Sequence, residues 1–234
     1  MNTVSRNPFA RQRITVSTLC VVCALFFMAA GCGRQESSPV VDVENPYYFY
    51  DHEGEKVFLS LNTKYAFLSV KEPQLPADIK QRGIKAEEFL SDGSDKKGQY
   101  LGKTPVSRYC TELSIEKYLT NEQYLELLAD IKRKNKDVII APYFNDQFGN
   151  KIGLSNFFFV KLKKEDNVVL LEQMAKETNC IILYQYEFSP VWFTLSVSEA
   201  SEFHALECAK RFHESGLFES AEPSLMANVL HFNP

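Results

Sequence analysis

From residue 157 to residue 221 the apolar residues switch repeatedly between the two-residue period of a strand and the 3.6-residue period of a helix, and few folds satisfy that order. Residues 157–163 alternate, with Phe158, Val160 and Leu162 on one face. Residues 165–178 place Val168, Leu171, Met174, Ala175 and Thr178 on one side of a helical wheel. Residues 180–188 form an Ile- and Tyr-rich strand that Ser189-Pro190 breaks, and residues 192–197 form another. Residues 199–215 predict a second helix with an inner stripe of Ala205, Cys208, Ala209 and Phe212, stopped by Gly216. A short strand, 218–221, ends before Pro223. The order is β-α-β-β-α-β, the split βαβ of a ferredoxin-like unit.

The upstream sequence is a weaker copy. Residues 47–50 and 56–61 flank Asp51-His52-Glu53-Gly54 as the arms of a hairpin. Then come a strand at 65–70, a poor helix at 76–89 and strand character at 106–113. A good helix at 121–134 has Tyr124, Leu125, Leu128 and Ile131 inward, and a strong strand follows at 137–143. Ser91 to Gly98 is a polar loop. A shift of 81 residues lays Pro142 on Pro223, Leu125 on Leu206 and Ile131 on Phe212. The chain is therefore α+β, with an N-terminal subdomain at 47–152 and a ferredoxin-like unit with a C-terminal tail at 153–234. A single enlarged α+β domain is the alternative.

The first 32 residues are of a different kind. Arg6, Arg11 and Arg13 precede an apolar run from Ile14 to Met28, too short for a comfortable membrane span. It ends in Ala29-Ala30-Gly31-Cys32, which resembles the lipobox of bacterial lipoproteins. That resemblance implies lipid on Cys32, and Gly33 in place of an acid favours the outer membrane, facing the periplasm or the cell exterior. Ala29 stands where lipoboxes more often carry Leu, and a plain secretory signal cleaved near Ala30 is the alternative. Residues 33–46, rich in Ser, Pro, Gln and Glu, read as a flexible tether. Without the signal, 23 basic side chains face 30 acidic ones, a net charge of −7, which argues against a nucleic-acid partner. Cys110, Cys180 and Cys208 remain, as buried thiols or as one disulfide and a thiol.

Little catalytic chemistry is written in the motifs. There is no Gly-rich phosphate loop, no Gly-x-Ser-x-Gly elbow, and no Cys-x-x-Cys in the mature chain. His204 and Cys208 are four apart on one helix with Glu207 beside them, but Cys208 lies on the inner stripe, so a packed helix is expected rather than a metal site. Asp51-His52-Glu53 reads as a turn. No cofactor is expected.

One family resemblance goes further. The 157–160 strand, the two helix–strand segments and the ending Ser215-Gly216-Leu217-Phe218-Glu219-Ser220-Ala221-Glu222-Pro223 resemble the pro-region of bacterial subtilisin-like serine proteases, as do residues 47–71. In that family the pro-domain templates and inhibits its protease through the helix-free sheet face, acids that cap enzyme helices, and a tail that enters the substrate cleft. The resemblance implies Glu219 and Glu222 as the caps, Met226 to Pro234 as the tail, and Phe157, Phe159 and Trp192 on the open face, with burial against the upstream subdomain as the alternative for those aromatics. The Asp-Ser/Thr-Gly, His-Gly and Gly-Thr-Ser motifs of the catalytic domain are absent, so no Ser-His-Asp triad is expected and the chain is not expected to be an enzyme. The expectation is a lipid-anchored, exported inhibitor or folding chaperone of a subtilisin-like protease. The alternatives are a truncated remnant of such a protease, separable by the DNA downstream of Pro234, and a ligand-binding or adhesin-type surface lipoprotein. The last predicts a deep pocket or a glycan-stacking aromatic platform.

Overall fold

A computed structural model describes residues 45–94, 100 and 105–227, all within the unit from Val43 to Pro234. The segments expected to be a signal and, up to residue 44, a tether, together with Cys32 and Pro234, lie outside the described residues. Among the described residues the chain opens with a hairpin of β1 (Tyr48–Tyr50) and β2 (Lys56–Phe58), registered Tyr48 to Phe58. Its turn is the one the sequence predicts. The Asp51 carboxylate accepts the Glu53 and Glu55 amides at 2.9 Å, and Gly54 takes φ +83°, a conformation costly for other residues.

The first repeat follows as β3 (Ser60–Val70), α1 (Ala77–Gln81), the short β4 (Lys85–Ala86) and β5 (Leu90–Ser91), β6 (Tyr109–Ser114), α2 (Asn121–Lys134) and β7 (Ile139–Asn145). Helix α2 occupies the predicted span because a capping box of Thr120 and Gln123 starts it. Tyr124, Leu128 and Ile131 are buried, and Lys132, Arg133 and Lys134 complement its C-terminal dipole. The helix expected over 76–89 is only α1. Gly83 at φ +74° turns the chain away after one turn, and β4 then pairs with β6.

The second repeat is β8 (Lys151–Leu162), a 3₁₀ turn (Glu165–Asn167), α3 (Val168–Glu177), β9 (Cys180–Tyr186), β10 (Ser189–Val197), α4 (Ala205–Glu214) and β11 (Phe218–Ala227). Helix α4 starts six residues later than the 199–215 pattern predicts. The Ser198 and Ser201 hydroxyls accept the Ala200 and Phe203 amides and hold that stretch in turns, and His204 Nδ1 then caps the helix by accepting the Glu207 amide at 3.3 Å. β11 does not stop at Pro223. It runs on to Ala227 along the edge of β8, where a proline's missing N–H costs no ladder bond on the open side.

All strand pairings are antiparallel. Among the described residues the main sheet is nine-stranded, in the order β4-β6-β3-β7-β8-β10-β9, with β5 on β6 and β11 on β8. Each repeat, taken alone, shows the order fourth-first-third-second: β7-β3-β6-β4, then β11-β8-β10-β9. The fold is thus α+β with two ferredoxin-like units in one sheet. The boundary drawn between residues 152 and 153 falls inside β8, where the ladder continues. One core lies under α1 and α2, with Leu68, Leu113, Tyr124 and Ile131 at its centre. A second lies under α3 and α4, built on Phe158, Phe193, Leu195 and Phe212. A third, with Phe67, Tyr143, Phe144, Leu154 and Leu206, takes residues from both units and joins them.

Gly153 sits in that joint. A Cβ there would meet the Tyr143 ring at 2.7 Å from Cζ and 2.8 Å from the hydroxyl. Tyr143 is 1% exposed and has no room to retreat. Gly153→Ala is expected to destabilise the fold by about 1–3 kcal/mol, read as a lower midpoint in urea unfolding with unchanged slope. Gly149→Ala in the β7–β8 turn would act instead through its φ of +83°.

Candidate functional site

β8 changes partner along one edge. β11 holds its other edge from Ile152 to Leu162. On the first edge Lys151 and Ile152 pair with β7, and from Phe157 onward the partner is β10. Between those stretches β7 and β10 diverge like a fork, and the space between them is a cavity of about 620 Å³. Ile139 comes from β7, Ser196 and Val197 from β10, Asn156 and Phe157 from β8, and Ile182 and Ala175 from β9 and α3. The loop before β6 adds Val106 and Arg108, and Tyr100 also lines the wall.

Most of the surface of the wall is apolar, but six charged residues, Lys71, Asp92, Arg108, Glu172, Lys176 and Glu199, also line it. Asn156 is 2% exposed; its Nδ2 donates to Ser196 Oγ at 2.9 Å, and its Oδ1 has no hydrogen-bond partner. A buried carbonyl oxygen without a donor is costly. Arg108 is nearly saturated. Nε donates to Ser69 Oγ at 2.8 Å, Nη2 to the Ser69 and Asp137 carbonyls, and Nη1 to Glu199 at 2.5 Å. Lys71 bridges Asp137 at 2.6 Å and Glu199 at 3.5 Å. Burial alone would raise the Glu199 carboxyl, but its backbone hydrogen bond, Arg108 and Lys71 together hold it below the usual carboxylate range. This ion-pair group ties the end of the first repeat to the segment after β10. On the opposite wall the Tyr100 hydroxyl donates to Glu172 at 2.8 Å, and burial followed by that carboxylate raises its pKa.

The residues named from the sequence scatter over three places. Phe157 is 7% exposed, is among the residues that line the cavity, and lies on the same side of β8 as Phe159. Phe159 and Trp192 lie half-buried on the face away from α3 and α4; Phe159 pairs with Thr194 and Glu222, and Trp192 with Lys161. Glu222 is half-buried, while Glu219 is exposed and bound to Lys161 at 2.6 Å. Met226, expected in a free tail, is a strand residue opposite Gly153. The His204–Cys208 pair does not converge on a metal position. His204 Nδ1 is spent on the cap, and Cys208 Sγ lies 3.6 Å from Cys180 Sγ. Among the described residues no cluster of three or more His, Cys, Asp or Glu side chains is placed to hold a metal, and no helix is long and apolar enough to cross a membrane.

The sequence reading missed Arg108 and Asn156. Each leaves a trace, a charge beside the 109–114 strand and an amide inside the apolar run from Leu154 to Val160, but neither trace says what the side chain meets.

No family model and no curated protein matches this chain. Two solved structures show a distant likeness. One is the small subunit of acetolactate synthase from Thermotoga maritima, 11% identical over 70% of this chain and 95% of that chain, with a TM-score of 0.22. The other is the regulatory subunit of aspartate kinase from Thermus thermophilus, in ligand-free form, 14% identical over 69% of this chain and 97% of that chain, with a TM-score of 0.20. At those scores neither likeness carries an argument about this chain.

His204 generates a pH prediction. Desolvation, with Lys132 and Lys210 nearby, lowers its pKa from 6.5 to about 4. The unfolded chain therefore takes up the proton first as pH falls, so stability present above 6.5 is lost progressively down to about 4. His204→Asn keeps a capping side chain and removes the titration. Between pH 7 and 4 the wild type is expected to lose up to about 3 kcal/mol more than the variant in chemical denaturation.

Proposed function

We propose that this chain is a binding module for a small molecule with an apolar body and an N–H donor, taken up in the cavity between the two ferredoxin-like units and presented from a membrane-anchored tether at Cys32. The observation that carries the reading is the cavity itself. At about 620 Å³ it has the size of a small-ligand site, a wall with mostly apolar surface, and one buried acceptor left unpaired at Asn156. Of the charged residues that line it, Arg108, Lys71, Glu199, Asp92 and Glu172 are engaged with one another, with neighbouring side chains or with the backbone, and Lys176 adds a positive charge to the wall. 1-Anilinonaphthalene-8-sulfonate tests the site, since it offers fused rings and an N–H. Saturable fluorescence enhancement at a single site is expected. Val106→Asp, on the rim and 80% exposed, should weaken it at least fivefold, while Tyr118→Asp, 92% exposed and outside the lining, should not. No saturable site, or equal loss in both variants, removes the reading.

A second reading has its own support. Phe159, Trp192, Tyr184 and Glu222 share the helix-free face of the C-terminal unit, the surface through which a pro-region-like inhibitor of a subtilisin-like protease would bind. Aromatic anchors on such a face dominate binding energy. Inhibition of a subtilisin by the chain, with Trp192→Ala weakening it about tenfold, is the expected result. A chain that leaves the protease active at every attainable concentration eliminates this reading without touching the first.

A further inference from the structure

We propose that Cys180 and Cys208 form an exchange-active dithiol that closes to a disulfide, with Cys180 as the entry sulfur. The two Sγ atoms lie 3.6 Å apart, and closing to bonding distance requires a movement of roughly 1.5 Å. Their surroundings divide the labour. Cys180 is the first residue of β9, half-buried, and lines the cavity, so a small disulfide can reach it. Cys208 is 0% exposed on the inner face of α4, enclosed by Ser201 and the core of the C-terminal unit. Cys110 stands apart on β6, among residues of the interunit core.

The chemistry follows from that placement. A low-molecular-weight disulfide, such as oxidised glutathione, enters through the cavity. The Cys180 thiolate attacks one of its sulfurs, forming a mixed disulfide and releasing one thiolate that takes up a proton. Cys208 then loses its proton and attacks the Cys180 sulfur, the mixed disulfide breaks, and the second small thiol leaves. Two protein thiols are oxidised and one small disulfide is reduced to two thiols. The contact with Cys208 lowers the Cys180 thiol toward the thiolate, while the same contact and burial raise Cys208, which suits an attacking and a resolving sulfur in that order. This proposal needs the cavity to be open to solvent, not occupied, and so stands or falls apart from the ligand-binding reading.

The sequence makes the test direct. Trypsin releases residues 177–210 as one peptide that contains Cys180, Cys208 and no other cysteine, and residues 109–117 as the peptide of Cys110. The full chain is equilibrated with excess oxidised glutathione, alkylated, and digested without reductant. The expected 177–210 peptide is two hydrogens lighter than its dithiol form, with its alkylated fraction reduced at least tenfold, and dithiothreitol restores the original mass. In Cys208→Ser the glutathione adduct should accumulate on Cys180; in Cys180→Ser, Cys208 should stay unmodified in the folded protein. Alkylation of both cysteines in the wild type, or a lasting Cys180 adduct beside a free Cys208, overturns the dithiol. Modification of Cys208 in the folded Cys180→Ser chain overturns the order of attack.

Discussion

The structure depends on β8 hydrogen-bonding to three strands along its length. Most strands in a small α+β unit serve one or two neighbours over one stretch. β8 gives its first two residues to β7 and the five from Phe157 to Lys161 to β10, and it keeps β11 on the opposite edge. β7 and β10 both pair with the same edge of β8, at Lys151–Ile152 and from Phe157 onward, and they diverge between those stretches. The gap cannot be filled by backbone, and side chains from both repeats line it without closing it. The cavity is therefore a consequence of how two ferredoxin-like units share one strand. Gly153 and Asn156 occupy the unpaired interval, and both carry its marks: a position where only hydrogen fits under Tyr143, and an amide oxygen without a donor.

The repeated architecture was legible in the sequence, and its limits are physical. The shift of 81 residues that lays Pro142 on Pro223 joins structurally equivalent points. Each proline lies in a fourth strand opposite a first strand, at Ala66 and at Phe158, and each sits beside a register shift. Ile131 and Phe212 are likewise equivalent core residues, both fully buried. The same shift fails for the first strands, which end at Val70 and Leu162, because the first repeat carries a longer connection before β6. It also pairs Leu125, 38% exposed, with the buried Leu206, since only the second of these faces the interunit core. Periodicity reports which face of an element is apolar. It does not report that another unit will arrive to cover a second face.

The site was less legible than the fold for the same reason. Phe157, Phe159 and Trp192 were found as aromatics on strands, but which of them meet solvent depends on where β8 changes partner, and that is a property of the pairing. Cys208 was recognisable as an inner-stripe residue from helical spacing. Its proximity to Cys180 follows only from topology: β9 begins opposite Val197 at the end of β10, and the chain then turns through Ser201 into α4. Residues far apart in sequence meet because the third strand of the unit lies between the first and the second.

Arg108 shows how the fork is held to one shape. Burying a guanidinium costs several kcal/mol unless its donors are met and its charge is paired, and here Ser69, Asp137 and Glu199 together do both. A well-packed apolar residue would give comparable stability, so stability alone does not account for an arginine at this place. A guanidinium has fixed donor directions, whereas an apolar contact is satisfied by many arrangements. With three of its bonds to the β3–β7 end of the first repeat and one to Glu199 beyond β10, Arg108 fixes the angle between the arms that β8 leaves apart. Lys71 adds to the same carboxylate from the surface side. The apolar interunit core supplies attraction between the repeats, and this polar group supplies the geometry, which is what a cavity of defined shape requires.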